Sequence, residues 1–289
     1  MKIKESELIL NPDGSVYHLN LRPEHIADTI LFVGDQNRVE KITKHFDTIE
    51  FSTQKREFKT QTGTYKGKRI SVMSTGIGPD NIDIVINELD ALVNIDLETR
   101  EPKEILSSLE IIRIGTSGSL QDDIPVDSFV LSTHGLDLNG MLHFYQIDKI
   151  TNPSLENDFI DYTNWNTQKA RPLLIENDKS LEEKMESELT FKGITATAGG
   201  FYGPQGRVLR LAIEDPDLNH KIDSFSSNGH RISNLEMETS AIYGLSKLLG
   251  HRALSLNAII ANRTNGTFSK DPGSIVDQLI KYTLEKLVE

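Results

Sequence analysis

Apolar residues arrive along this chain in two rhythms. Short unbroken runs rich in β-branched residues read as buried strands, and apolar residues three and four apart read as helices with one packed face. Residues 29–33 are the first such run, and Gly34 to Arg38 lead into a helix on which Val39, Ile42 and Phe46 recur at helical spacing. Residues 58–65 and 69–74 form a hairpin about Lys66-Gly67-Lys68, with Arg56 leading its first strand. Pro79 opens a helix carrying Ile82, Ile86 and Leu89 on one face, since its missing N–H costs nothing in a first turn. Residues 94–108 are polar and read as a surface insertion before the central strand.

That central strand, residues 111–120, reads Ile-Ile-Arg-Ile-Gly-Thr-Ser-Gly-Ser-Leu and is expected to open into a loop from Gly115 to Gly118. Residues 126–133 form another strand, 134–145 a loop, and 157–188 a polar, helical stretch without evident chemistry. Residues 193–198 are a strand that opens into a glycine-rich loop over 199–207. A helix follows residues 234–239, with Ile242, Leu245 and Leu249 on its buried face and Gly250 as its stop. Residues 254–261 are a last strand, and Ser274 is expected to cap a closing helix bearing Ile275, Leu279, Leu284 and Leu287. Strands alternating with helices predict an α/β protein.

Composition narrows the function. A chain of 289 residues with 37% hydrophobic content is ample for a sizeable core. A net charge of -12, without a basic patch, argues against a nucleic-acid partner. The absence of cysteine excludes disulfides, thiolate nucleophiles and Cys-ligated metals. No apolar run approaches the length of a membrane span and the first seven residues are charged, so a cytoplasmic protein with no membrane partner is expected.

Arg113 is the first candidate for chemistry, because it interrupts an apolar strand. It either meets an anion where open α/β sheets bind ligands or pairs with a structural carboxylate. Arg38 lies near a helix N-terminus, where free backbone N–H groups suit a phosphate. In the 199–207 loop, Phe201, Gln205 and Arg207 combine a stacking ring, an amide and a guanidinium, which suits a planar heterocycle as well as it suits an ordinary surface loop. Glu236, Met237 and Glu238 stand at a helix start, able to hold a sugar's hydroxyls or simply favoured there by the helix dipole.

Together these segments resemble one family. Gly34-Asp35-x-x-Arg38, Arg56-Glu57-Phe58, Ser74-Thr75-Gly76-Ile77-Gly78, Arg113-Ile-Gly-Thr116, Phe201-Tyr202-x-x-Gln205-x-Arg207 and Glu236-Met237-Glu238 stand in the order and rough spacing of nucleoside phosphorylases of the hexameric purine and uridine type. The resemblance runs from about Tyr17 to the last helix. It implies one domain over residues 1–289, a three-layer α/β/α fold around a mixed, partly barrel-like sheet. It further implies reversible cleavage of a nucleoside by inorganic phosphate as co-substrate, with no cofactor required. By the resemblance Gly34, Arg38, Arg113 and Thr116 hold phosphate, with Arg56 reaching in from a neighbouring subunit. Glu236, Glu238 and Met237 hold the ribose, His18 of the neighbour meets the 5′-hydroxyl, and Thr116, Gly118 and Ile260 complete the nucleoside site. A homodimer is then the minimum assembly, and a trimer of dimers the larger form. Some members also hold a potassium ion at the dimer contact, through positions matching Glu57, Ile77 and Asn81, where Asn81 replaces a serine.

The resemblance also speaks to the base. Purine members place an aspartate after the strand that follows the Glu-Met-Glu helix, whereas here Ile259-Ile260-Ala261-Asn262-Arg263 carries no carboxylate. Uridine members use Phe, Gln and Arg in the preceding loop, matched by Phe201, Gln205 and Arg207. Uridine phosphorylase is therefore the expected activity, and because Gly203-Pro204 and Gly206 depart from the bacterial loop the acceptance of deoxyuridine or thymidine is left open. The alternatives are a purine nucleoside phosphorylase, a nucleosidase that would not need three phosphate arginines, and a non-catalytic nucleoside-binding protein that could lose Glu238.

Overall fold

A computed structural model describes residues 2–289. Its strands are β1 (Thr29–Val33), β2 (Thr48–Lys55), β3 (Phe58–Tyr65), β4 (Lys68–Ser74), β5 (Ile95–Asp96), β6 (Glu101–Pro102), β7 (Glu110–Ser119), β8 (Phe129–Asp137), β9 (Leu173–Glu176), β10 (Thr190–Thr197), β11 (Ser226–Ser227), β12 (His230–Glu236), β13 (Arg252–Asn262) and β14 (Thr267–Phe268). Its helices are α1 (Gln36–Thr43), α2 (Pro79–Asn94), α3 (Pro153–Thr163), α4 (Lys179–Met185), α5 (Leu218–Asp223), α6 (Thr239–Leu249) and α7 (Pro272–Val288).

β7 is the hub of a twelve-stranded mixed sheet and pairs in parallel with β1 on one side and β13 on the other. The order runs β11-β12-β10-β8-β13-β7-β1-β4-β3-β2, and β12 also turns back onto β7, antiparallel, at Leu235–Gly118 and Asn234–Ser119. That extra pairing closes β7, β13, β8, β10 and β12 into a ring, which is the partly barrel-like sheet expected. Because neighbours along a strand point to opposite faces, Ile111 joins Ile30, Phe32 and Met73 beneath α2 and α6, while Ile112 and Ile114 join Leu31 and Val33 beneath α1, α4 and α7. Helices on both faces give the three layers. A smaller cluster around Phe159 and Phe225 seats α3 and α5 against β10 and β12.

Several expectations need correction. The segment from Gly115 to Gly118 is strand rather than loop, because Ser117, Gly118 and Ser119 have ladder partners on β13. Gly115 is there for space: a Cβ on it would lie 1.8 Å from Nη1 of Arg113, whose guanidinium folds back along the strand. Arg56 does not lead a strand but sits in the tight β2–β3 turn with φ of 55°. β2 itself escaped notice because its exposed and half-buried positions give it no apolar run. The 126–133 strand starts later and continues to Asp137, into the segment read as loop. β9 lies inside the stretch read as helical, since four residues are too short to show a period. Asp271, not Ser274, caps α7, its side chain accepting the Ser274 N–H at 3.0 Å. α1 ends at Thr43, short of Phe46. The hairpin about Lys66-Gly67, Pro79 in the first turn of α2, and Gly250 ending α6 stand as read. Residues 94–108 form an exposed excursion carrying the β5–β6 ribbon.

Tyr243 pins α6 to the ring. Its fully buried hydroxyl donates to the Ser132 carbonyl at 2.7 Å and accepts the Ser255 N–H at 2.9 Å. Tyr243→Phe strands the Ser255 N–H, while the Ser132 carbonyl keeps its bond from Asn177 Nδ2 at 3.2 Å. Urea denaturation should record a loss of about 1–3 kcal/mol, the usual cost of a stranded buried polar group; an unchanged midpoint would mean that α6 is held by packing alone.

Candidate active site

A cleft of about 760 Å³ opens at the carboxyl ends of β1, β7 and β12, the place where α/β sheets receive ligands. Gly34, Arg38, Arg113, Thr116, Gly118, Phe201, Gln205, Arg207, Glu236, Met237, Glu238 and Ile260 all line it. Residues more than two hundred positions apart in the chain are therefore brought to one wall.

Arg113 lies at the bottom, 5% exposed. Its Nη2 is 2.6 Å from Oε2 of Glu238 and 3.1 Å from Oε2 of Glu236, so the structural-carboxylate reading of this arginine is realised inside the very cleft that the anion reading required. Burial works against its charge, and the two carboxylates more than offset that, holding Arg113 firmly protonated. Arg38, on the first turn of α1, donates to the Ile114 carbonyl at 3.2 Å. Burial and then the neighbouring Arg113 charge hold its pKa below the usual guanidinium range.

The two glutamates divide the readings left open for them. Glu236 accepts from the N–H groups of Glu238 at 3.0 Å and Thr239 at 3.0 and 3.1 Å, and from the Thr197 hydroxyl at 2.8 Å. It is the anion at the N-terminus of α6. Glu238 stands beside that terminus without capping it, and its carboxylate bridges Arg113 and the Gly78 N–H at 2.8 Å. Burial pushes the Glu238 carboxyl above the usual carboxylate range; Arg113 pulls against the shift and Glu236 adds to it. One guanidinium facing two carboxylates cannot fully satisfy both, and the one without a helix terminus carries the strain.

At the other end of the cleft the 199–207 loop is already ordered by itself. The Arg207 guanidinium sits 3.8 Å over the Phe201 ring, within cation–π reach. It donates to the Phe201 carbonyl at 2.6 Å and to Oε1 of Gln205. Gln205 is 2% exposed, and burial holds Arg207 below the usual guanidinium range. Arg207 also walls off a separate apolar cavity of about 730 Å³ behind the loop, but the charged groups converge on the first cleft. Arg263 was missed in the sequence reading. Its Nη1 donates to the Gln205 carbonyl at 2.7 Å, fixing the loop from β13. An arginine directly after a strand end was the available signal. Asn262, beside the position where a purine-type carboxylate was looked for, spends its amide on the carbonyls of Gln121 and Ile124 at 2.7 and 2.9 Å.

Arg56 and His18 are not among the residues lining the cleft. Glu57, next to Arg56, does line it. His18 is held elsewhere, with Nδ1 2.6 Å from Oε1 of Glu88 on α2, which also accepts the N–H groups of His18 and Leu19. Glu57, Ile77 and Asn81 share the cleft rim, but Asn81 turns Nδ2 toward the Ile77 carbonyl at 3.4 Å.

Residues 28–284 match the model of the phosphorylase superfamily. A uridine phosphorylase of Thermococcus kodakarensis is 30% identical over 93% of this chain and 85% of its own length. A DeoD-type purine nucleoside phosphorylase of Geobacillus stearothermophilus is 28% identical over 94% of this chain and 98% of its own. The crystal structure of a Trypanosoma brucei nucleoside phosphorylase described as showing uridine phosphorylase activity superposes with a TM-score of 0.86 at 30% identity, over 97% of this chain and 99% of that one. The family match, the fold and the cleft agree, and the chain belongs to the phosphorylase superfamily as a nucleoside phosphorylase.

Proposed function

We propose that the chain cleaves uridine reversibly with inorganic phosphate, giving uracil and ribose 1-phosphate. The observation that carries the reading is the loop in which Arg207 lies over Phe201 and bonds to Gln205, facing the Arg113–Glu238 pair across one cleft with no carboxylate at Asn262. An amide and a guanidinium hold the edge of uracil, and the charged donor stabilises the negative charge that the base gains as its bond to C1′ breaks.

Arg38, Arg113, Gly34 and Thr116 receive phosphate, an oxygen of which attacks C1′ while the glycosidic electron pair departs with the base. Glu238 accepts from the ribose hydroxyls and Met237 packs under the sugar. A phosphate entering beside Arg113 competes with Glu238 for its donors, which frees the carboxylate for the sugar. Positioning and electrostatics carry the rate without a covalent intermediate. Arg56 and His18 lie outside the lining of their own cleft, which supports a homodimer at least, with each site taking these two residues from its neighbour.

Uridine cleavage should require phosphate; equal turnover in phosphate-free buffer with release of free ribose would point to a hydrolase instead. Inosine is the control, given the purine relatives.

Arg207→Ala should lower kcat/KM for uridine by roughly a hundredfold, the scale of losing a charged donor at a developing anion. An Arg207→Ala enzyme as active as its parent would remove the loop from the chemistry.

Arg56→Ala and Glu238→Ala should each be nearly inactive alone. Refolded together in equal amounts, they should regain roughly a quarter of parental activity, because about half the dimers are mixed and each mixed dimer has one whole site. No recovery in dimers proven to be mixed would place Arg56 in its own chain's site.

A further inference from the structure

Arg113 has a third partner, and that partner is neutral. Its Nη1 donates to Oδ1 of Asn257 at 2.8 Å. Asn257 lies on β13, level with Gly115 of β7, and is fully buried. A guanidinium can only donate, so the amide must present its oxygen to Arg113 and its nitrogen to the ring interior. There Nδ2 lies 3.2 Å from the Ser132 hydroxyl and 3.3 Å from that of Ser255. Ser132 is in turn 2.5 Å from Oγ1 of Thr195, which donates to Asn234 at 2.8 Å. The orientation of the Asn257 amide is thereby locked from β8, β10 and β12 as well as from its own strand.

The neutrality matters because the other side of the guanidinium already faces Glu236 and Glu238. A third carboxylate would orient Arg113 equally well and leave the pocket floor electronegative where an anion has to arrive. We propose that Asn257 is a positioning residue for phosphate, holding Arg113 rigid through an uncharged oxygen so that its charge stays available to the incoming dianion. The inference rests on the phosphorolysis reading above and assigns Asn257 no contact with either substrate.

Asn257→Asp tests it, because the shape is kept and one negative charge is added. We expect KM for phosphate to rise about tenfold or more, from one added unit charge within hydrogen-bond distance of the guanidinium. KM for uridine at saturating phosphate should stay within about threefold, because the base end of the cleft is untouched. Asn257→Ala removes the brace without adding charge and should raise KM for phosphate less than Asp does, again sparing uridine. Unchanged phosphate KM in a folded variant, or equal rises in both KM values, would overturn the proposal; thermal unfolding of each variant identifies which ones are folded. Should Asn257→Asp not fold, the Ala variant decides alone. A parent enzyme indifferent to phosphate would refute the phosphorolysis reading itself, whereas a phosphate-dependent parent with a silent Asn257→Asp would refute only the role of Asn257.

Discussion

One buried guanidinium sets the terms for the rest of this structure. An arginine taken out of water costs several kcal/mol unless its charge and its donors are matched. Arg113 is matched from the β12–α6 junction, through Glu236 and Glu238, and from β13, through Asn257. Each match depends on a feature of the fold. Gly115 leaves the space into which the guanidinium folds, the β12–β7 pairing brings the Glu236 end of β12 across the ring, and the N-terminus of α6 anchors one carboxylate so that the other can face the cleft. A side chain at position 115 would therefore disturb chemistry and packing together.

The interior of the ring is correspondingly polar. Ser132, Thr195, Ser233, Asn234, Ser255 and Asn257 are all fully buried and hydrogen-bonded to one another or to backbone. Polar groups in such a place are stable only when every partner is present, and a fully satisfied network is rigid. The apolar clusters lie outside the ring, beneath the helices, so packing holds the layers and hydrogen bonding fixes the floor of the cleft.

The chain as a whole is acidic, yet four arginines of the cleft and its loop are buried or half-buried. Arg38, Arg207 and Arg263 are each held below the usual guanidinium range chiefly by loss of water. A guanidinium short of solvent gains more from an arriving anion than an exposed one does. On the phosphorolysis reading, the two ends of the cleft use that gain at different moments, the Arg38–Arg113 end for phosphate on binding and the Arg207 end for the base as it leaves.

By itself the sequence determined the α/β class, the central strand and most helices, while its resemblance to nucleoside phosphorylases pointed to the residues that line the cleft. Those were legible because apolar runs, helical spacing and turn residues act locally, and because an arginine inside an apolar strand is costly wherever the chain goes. It also put Phe201, Gln205 and Arg207 within seven residues, close enough to see as one loop. Only the tertiary structure decided that Gly115 to Gly118 remain strand, that Arg56 occupies a left-handed turn, and that Glu236 caps a helix while Glu238 faces Arg113. The partners of Arg263 and Asn257 were beyond the sequence for the same reason: each acts on a residue more than fifty positions away, and contacts between distant segments leave no periodic trace in either.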